Sequence, residues 1–323
     1  MIAPHDDTHT FYLKNYFGVA AESLQVSEIK KGLSGAKKYQ VTLGDKDYVL
    51  RVLDPGLPPH RKQDEIAASV YAGQHYIGPQ IRYVSPDGNA IIMDFVHGQT
   101  LTPELLQDLS TLNAVVKKIK ALHLSSGGFP KGETVFDKIT KQLEKLKQSN
   151  IPYPTTKVEA SLEKLKEIAS EFQNEPLVPC HNDLNCLNVL KEENGFKFVD
   201  WTGAGYGYAF NDLGFFSLVN QIGEERHKDL LIAYLDREPT QRELHLLNTI
   251  KKVSLLRIFA ANFPAYEPAI DNLEERESRR QELEKMSLLP VEHFFDLETK
   301  GQLRGKEVVV PLSLSALQTF LEA

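Results

Sequence analysis

The chain has 323 residues, a net charge of −7 at pH 7 and two cysteines. This length suffices for a two-lobed enzyme, because single hydrophobic cores stop growing at about 250–300 residues. The acidic charge argues against nucleic acid as the main partner, and two cysteines argue against a disulfide scaffold. The sequence shows neither a signal peptide at its start nor an apolar run near the ~18 residues that span a bilayer. We therefore expect a cytoplasmic protein without membrane insertion.

The first part of the chain predicts a small antiparallel sheet. A short amphipathic helix is expected at residues 11–24, and residues 27–53 alternate like three strands with turns between them. A helix over residues 63–75 follows. Residues 81–84 and 90–96 have the pattern of two more strands. Together these segments predict a five-stranded lobe with one helix.

A glycine-containing loop lies between the first two predicted strands. Gly32 and Gly35 bracket Leu33 and Ser34. Glycine lets backbone N–H groups come close to phosphates, since no side chain blocks the approach. The segment is a candidate for holding a nucleotide through Gly32, Ser34 and Gly35, with an ordinary hairpin turn as the alternative.

Arg51 is a cation in the otherwise apolar strand YVLRVL. A charge there is unfavourable unless it is paired, and an acid on the next helix could pair with it. Glu65 is the favoured partner and Asp64 the alternative. An arginine of an edge strand that faces solvent remains the other interpretation.

The stretch after the fifth strand is the candidate connection between two lobes. Backbone groups from Met93 to Phe95 would pair there with an adenine edge, an assignment that rests on position alone. The expected domains are residues 1–95, which bind nucleotide, and residues 96–323, which carry the catalytic and substrate-binding groups.

The second part of the chain is predicted to be mainly helical, because apolar residues recur at spacings of three and four. His123, at the end of the first of these helices, is expected to be a capping or core residue. The tail predicts a short strand and a closing helix capped by Ser313 or Ser315. The predicted helices cover residues 105–123, 136–147, 158–172, 213–223, 227–235, 240–263 and 272–286.

Two motifs carry the predicted chemistry. The segment HNDLNCLNVL has the pattern H-x-D-x-x-x-x-N through His181, Asp183 and Asn188, and FVDWTGAG places Asp200 after an apolar pair. Phosphoryl transfer needs a base beside the attacking hydroxyl and oxygen ligands for magnesium. Asp183 is the candidate base, with Asn188 and Asp200 as metal ligands. Turn-forming Asp and Asn residues are the alternative.

These motifs resemble the aminoglycoside phosphotransferase and choline kinase superfamily, whose fold is similar to that of protein kinases. Its members continue with D-W-x-x-A-G and D-L, matched here from Asp200 to Gly205 and at Asp212. Protein kinases instead have D-F-G and A-P-E. Arg51 in place of lysine is similar to choline and ethanolamine kinases. Asn182 departs from the pattern, since many relatives have glycine there.

The resemblance implies an α+β, protein-kinase-like two-lobed fold, with a small five-stranded antiparallel N-lobe and a larger, mainly helical C-lobe. It also implies ATP and Mg²⁺ as cofactors. Arg51, Glu65 and the glycine loop would hold the phosphates, and Asp183 would accept the proton of the substrate hydroxyl. His181 and Asp212 would support the catalytic loop.

The sequence leaves the acceptor alcohol open. Aromatic faces and carboxylates hold ammonium groups, and Trp201, Tyr206 and Phe259 are the candidate substrate contacts. Choline, ethanolamine or a similar small amino alcohol is favoured, followed by an aminoglycoside, thiamine or a sugar. A nucleotide-binding pseudokinase or scaffold is the alternative of another class, although neither the base nor a metal ligand is lost.

Overall fold

The structure is a computed structural model that describes residues 8–18, 24–29, 35–125, 127–299 and 305–322. The chain divides into two compact units. The first contains residues 1–101, 124–131 and 187–205, and the second contains residues 102–123, 132–186 and 206–323. The expected boundary after residue 95 lies near the first break at 101, but two later segments of the chain return to the first unit.

The strands of the described chain are β1 (Gln25–Glu28), β2 (Lys37–Leu43), β3 (Lys46–Val52), β4 (Ile81–Val84), β5 (Ala90–Asp94), β6 (Gln99–Thr100), β7 (Leu177–Cys180), β8 (Val189–Glu192), β9 (Gly195–Phe198) and β10 (Gly205–Tyr208). In the first unit, β1 to β5 form an antiparallel sheet in the order β1-β2-β3-β5-β4. A smaller sheet has the order β6-β8-β9, and β7 pairs with β10. The predicted five-stranded sheet is therefore present.

The helices are α1 (Thr8–Phe17), α2 (Pro59–Gln74), α3 (Leu109–His123), α4 (Val135–Lys147), α5 (Thr155–Glu171), α6 (Ala209–Val219), α7 (His227–Leu235), α8 (Gln241–Tyr266), α9 (Leu273–Lys285), α10 (Val291–Thr299) and α11 (Lys306–Glu322). In the described part of the chain, none is both long enough and apolar enough to cross a bilayer.

The turn between β2 and β3 fixes the register of the sheet. Gly44 has φ of +63°, a left-handed conformation that glycine adopts without steric penalty. The strands pair from Leu43 with Lys46 outward, which places Lys38 opposite Arg51. The apolar residues of both strands join a buried cluster with α1, because side chains alternate between the faces of a strand. Register thus puts two cations side by side.

Several helix boundaries differ from the predictions for local reasons. Helix α2 begins at Pro59 rather than residue 63, since proline suits the first turn of a helix. Helix α6 begins at Ala209, four residues before the expected start. Helix α1 ends at Phe17, and residues 19–23 of its predicted range lie outside the described residues.

The tail corrects a prediction. Residues expected to form a strand belong to α11, which contains Pro311 and is largely buried in the second unit. Ser313 and Ser315 lie inside this helix instead of capping it, and their hydroxyls donate to the carbonyls of Val309 and Leu289. Burial of an apolar helix outweighs the strand preference of consecutive valines, because tertiary packing overrides intrinsic propensity.

Candidate active site

A buried ion-pair cluster forms around Arg51 in the first unit. The Arg51 side chain, only 5% exposed, donates from Nε to Glu65 Oε1 at 2.6 Å. Its Nη2 donates to Asp200 Oδ1 at 2.8 Å, and its Nη1 to Oδ2 at 3.3 Å. Asp64 instead faces Arg61, 4.0 Å away. Glu65 is therefore the partner of Arg51, and the solvent-facing alternative for Arg51 is excluded.

The charges of the cluster keep its groups ionised. Burial alone would raise the pKa of Asp200, but the positive charges of Arg51 and Lys38 and a hydrogen bond from Thr202 lower it well below 3.8. Burial would lower the pKa of Arg51, whereas Asp200 and Glu65 raise it above its ordinary value. An ionised carboxylate is what a divalent cation requires of Asp200.

A second cation, Lys38, also reaches Asp200. Its Nζ lies 3.4 Å from Asp200 Oδ2, beside the Arg51 contact. Thr202 accepts a hydrogen bond from Arg51 Nη2 at 2.9 Å and donates to Asp200 Oδ1 at 2.8 Å. Arg51 and Lys38 thus both contact Asp200, and with Glu65 the cluster holds two cations and two carboxylates, so its formal charges balance.

Backbone hydrogen bonding in the hairpin of β8 and β9 brings Asn188 close to Asp200. The N–H of Val199 donates to the carbonyl of Asn188 at 3.0 Å, and Asp200 follows directly with φ of +65°. The side chains of Asn188 and Asp200 supply amide and carboxylate oxygens, the hard donors that Mg²⁺ prefers. The donor set fits a magnesium site.

The catalytic loop of the second unit is held by one carboxylate. Asp212 on α6 accepts from the backbone N–H of His181 at 2.8 Å and of Asn182 at 2.6 Å. Burial alone would raise the pKa of Asp212, but hydrogen bonding to His123 and to the backbone N–H of His181 lowers it. Asp212 therefore holds the loop as expected, although α6 begins before this residue.

Asn182, which replaces a common glycine, has φ of +62°. This left-handed conformation is unfavourable for most residues and tolerable for asparagine. Its Oδ1 accepts a hydrogen bond from Asn211 Nδ2 at 2.8 Å. The substitution therefore keeps the loop conformation and adds a contact.

Asp183 is partly exposed and faces a cation. Arg257 on α8 brings Nη2 to 3.4 Å from Asp183 Oδ1. The guanidinium carbon of Arg257 lies 4.1 Å from the centre of the Phe215 ring on α6. The candidate base thus has an arginine beside it that is held by an aromatic face.

His123, Cys180 and Asp212 form a buried cluster whose potential ligand atoms lie within 4.8 Å of one another. Its polar groups are already used: His123 contacts Asp212 and the hydroxyl of Tyr234, and burial raises the pKa of the Cys180 thiol. A protonated thiol is a poor metal ligand. The cluster supports the loop, and His123 is the core residue that the sequence predicted.

The sequence model of the choline/ethanolamine kinase family matches residues 26–229. The chain belongs to the choline/ethanolamine kinase family. It is 25% identical over 169 residues to ethanolamine kinase 1 of Mus musculus, covering 47% of this chain and 46% of that protein. The chain spans about half the length of the curated relatives it matches.

Solved structures show the same fold at low identity. A choline/ethanolamine kinase family protein from Mesorhizobium loti superposes with a TM-score of 0.65 at 19% identity, covering 97% of this chain and 98% of that one. The amicoumacin kinase hAmiN, in complex with AMP-PNP, Ca²⁺ and Ami, gives 0.58 at 16% identity over 80% and 88%. The predicted superfamily and its α+β, protein-kinase-like fold are confirmed.

The structure describes only some of the predicted nucleotide-binding residues. Gly32 and Ser34 lie outside the described residues. A Cβ on Gly35 would lie 2.5 Å from the Asp54 carboxylate, so a side chain there would displace that group. Met93 belongs to β5, and the N–H of Phe95 already donates to the carbonyl of Asp47. The Phe95 N–H is therefore engaged within the sheet, and the adenine contact through the other backbone groups of this stretch stays a prediction.

The predicted substrate contacts need correction. Trp201 is buried, and its indole N–H donates to the carbonyl of Phe198 at 3.2 Å. Phe259 is fully buried and stacks on Phe263. Burial argues against both rings as substrate contacts, although Trp201 also lines a small cavity with Arg51 and Asp200. Tyr206 is half-buried and keeps its place as a candidate.

Two cations of the site were missed at the sequence level. Lys38 follows from the register that the Gly44 turn imposes on β2 and β3, so counting back from the turn would have found it. Arg257 interrupts the apolar run VSLLRIFAANF, the signal that identified Arg51. Its contact with Asp183 spans 74 residues, which no local pattern predicts.

Proposed function

We propose that the protein transfers the γ-phosphate of ATP to the hydroxyl of a small alcohol, with ethanolamine and choline as the first acceptors to consider. The observation that carries this proposal is the buried Arg51, held between Glu65 and Asp200. A buried arginine with two acids is kept where a phosphate-binding cation must be fixed in one orientation.

The roles of the residues follow from their chemistry. Arg51 and Lys38 would hold phosphate oxygens of the nucleotide, and Asn188 and Asp200 would hold Mg²⁺. Bound magnesium would offset the negative charge of the phosphates. Asp183 would orient the alcohol and accept its proton while the alcohol oxygen bonds to the γ-phosphorus and ADP leaves. General base catalysis of this kind typically contributes ~10²–10⁴-fold.

The nature of the acceptor rests on family membership. The relatives include an ethanolamine kinase and a choline/ethanolamine kinase family protein, and an acceptor with an ammonium group fits the acidic character of the chain. An aminoglycoside, thiamine or a sugar is the alternative, since the same fold serves an amicoumacin kinase. A scaffold that binds nucleotide without chemistry would be expected to lack the base, and Asp183 is retained.

The test is ATP consumption by the purified protein with Mg²⁺ and each alcohol in turn. Ethanolamine or choline is expected to stimulate ADP release well above the rate without acceptor. Asp183→Asn should abolish this stimulation and leave ATP affinity within about threefold, because the base does not hold the nucleotide. Binding of ATP without stimulation by ethanolamine, choline, thiamine, sugars or aminoglycosides would instead favour the scaffold.

A further inference from the structure

Arg257 has a hydrogen-bonding capacity that its contacts do not use. Its Nη1 is buried and has no hydrogen-bond partner among the residues that the structure describes. Its Nη2 makes a contact of 3.4 Å with Asp183, which is long for a charge-assisted bond, since these lie near 2.7–2.9 Å. A buried donor without a partner is uncommon, and Arg280 Nε is another among the described residues, so Arg257 is singled out by its position beside Asp183.

The position of the guanidinium is set by a ring and not by the acid. The Arg257 guanidinium carbon lies 4.1 Å from the centre of the buried Phe215 ring. Such a cation–π contact is attractive and favours one placement of the guanidinium over the ring. The donors of Arg257 are therefore oriented before any ligand arrives, and the weak contact with Asp183 leaves them able to bind another anion.

Arg279, in the same unit, pairs with a buried acid in the way that structural arginines usually do. It donates from Nε and Nη2 to both oxygens of the buried Glu267, at 2.8 and 3.1 Å. A structural arginine thus forms a two-bond fork with its acid. Arg257 does not form this fork with Asp183, although the two groups are adjacent.

We propose that Arg257 is a further catalytic residue, which donates hydrogen bonds to the oxygens of the phosphoryl group as that group reaches the acceptor alcohol beside Asp183. This inference rests on the proposed function. The alcohol oxygen bonds to the γ-phosphorus, the bond to the ADP oxygen breaks, and the alcohol proton passes to Asp183. The donors of Arg257 then bind two phosphoryl oxygens of the new phosphoester at once, a bidentate contact that lysine cannot reproduce.

The chain offers a matched control in Arg280. Its side chain is 28% exposed against 24% for Arg257, it lies over the Tyr153 ring at 5.1 Å, and it contacts Glu277 at 3.5 Å. It therefore shares the stack and the acid contact of Arg257 but does not contact Asp183. Substituting both arginines in the same way separates loss of a stacked cation from loss of the catalytic contact.

The experiment compares wild type with R257Q, R257K and R280Q, first by steady-state kinetics with ethanolamine and choline. R257Q is expected to lower kcat by ~10³-fold, the lower end of the range that transition-state arginines contribute. The KM values for ATP and the alcohol should change less than about threefold, because the contact forms during transfer. R257K should recover part of kcat, and R280Q should match wild type.

Calorimetry without nucleotide gives the readout that a structural role would not change. R257Q is expected to bind O-phosphoethanolamine about tenfold more weakly and ethanolamine as wild type does. Equal loss of both affinities, or a kcat equal to that of wild type, would overturn the role of Arg257. A wild-type protein that turns over none of the tested alcohols would overturn the proposed function itself, a result visible before any variant is made.

Discussion

The imidazole of His123 and the carboxylate of Asp212 form a buried pair, with Nε2 3.1 Å from Oδ2. The other ring nitrogen of His123 lies 2.9 Å from the Tyr234 hydroxyl. Because Asp212 also accepts from the backbone of His181 and Asn182, this chain of contacts connects α3, α6 and α7 to the loop that carries Asp183. The position of Asp183, the proposed base, therefore depends on a buried network of groups on these three helices.

Asp212→Asn tests this connection. The amide keeps the shape of the side chain but can accept through only one of its two ends, so a backbone N–H loses its partner. Leaving buried polar groups unpaired destabilises by roughly 1–3 kcal/mol, and more for charged groups. We expect a loss of ~3 kcal/mol in the free energy of unfolding at pH 7, measured by urea denaturation.

The loss should depend on pH in a defined direction. The pKa of Asp212 in the folded chain lies below its ordinary value of 3.8. The folded state thus binds fewer protons, and the stability from the carboxylate is full above about pH 4 and lost as pH falls through the folded pKa. The difference between wild type and variant should shrink below pH 4. A difference that stays constant down to pH 3 would contradict this role.

Arg51→Met should weaken nucleotide binding and destabilise the first unit. It leaves Glu65 and Asp200 without the cation between them, and removing one member of a buried pair costs about 3–5 kcal/mol. ATP affinity, measured by fluorescence titration with Mg²⁺, should fall at least tenfold. The control is Arg82→Met, which removes an exposed bidentate pair with Asp94. If both variants bind ATP equally, Arg51 has no role in nucleotide binding.

Lys38→Met tests the cation that the register of the sheet reveals. Hydrogen bonds to charged groups contribute roughly 1.5–3 kcal/mol, so ATP affinity should fall by about 10-fold or more. AMP affinity should change little if Lys38 holds the terminal phosphates. The adjacent Lys37→Met is the control, since neighbouring side chains of a strand point to opposite faces. Equal losses for ATP and AMP would place Lys38 away from those phosphates.

Local spacing in the sequence predicted much of the candidate site but not the partner of Arg51. Glu65 precedes the buried Ala68, Ser69 and Ala72 by three, four and seven residues, and Asp64 precedes the buried Ala68, Tyr71 and Ala72 by four, seven and eight. Helical periodicity therefore fits both acids, and only the structure separates them. The motif residues Asp183, Asn188, Asp200 and Asp212 were recognisable because their spacing is local and their chemistry is specific.

The residues that would contact the acceptor alcohol were less predictable. Their roles depend on which side chains are buried and on contacts between residues far apart in the sequence. Phe259 and Trp201 are equally plausible as core or as ligand-binding rings until their neighbours are known, and both prove to be core. Consecutive valines in the tail favour a strand in isolation, yet they lie in α11. No sequence pattern links Arg257 to Asp183 across two helices. These features arise from tertiary packing, which composition and periodicity do not encode.

Asn182 provides a test of backbone strain in the catalytic loop. Its φ of +62° is accessible to glycine and unfavourable for alanine. Asn182→Gly relieves strain but loses the hydrogen bond from Asn211, so the two effects should offset each other to within about 1 kcal/mol. Asn182→Ala loses the same hydrogen bond and keeps the strain, which should destabilise the protein by ~2–3 kcal/mol.

The free energy of unfolding in urea and kcat should therefore both decrease in the order wild type, Asn182→Gly, Asn182→Ala. The hydrogen bonds from the backbone of His181 and Asn182 to Asp212 persist in both variants, so the position of Asp183 depends on whether the left-handed turn is kept. Asn182→Gly keeps the left-handed turn, so its kcat should stay within about threefold of wild type. Asn182→Ala should lose more of kcat. If Asn182→Ala is as stable as Asn182→Gly, the loop does not require the left-handed conformation at this residue.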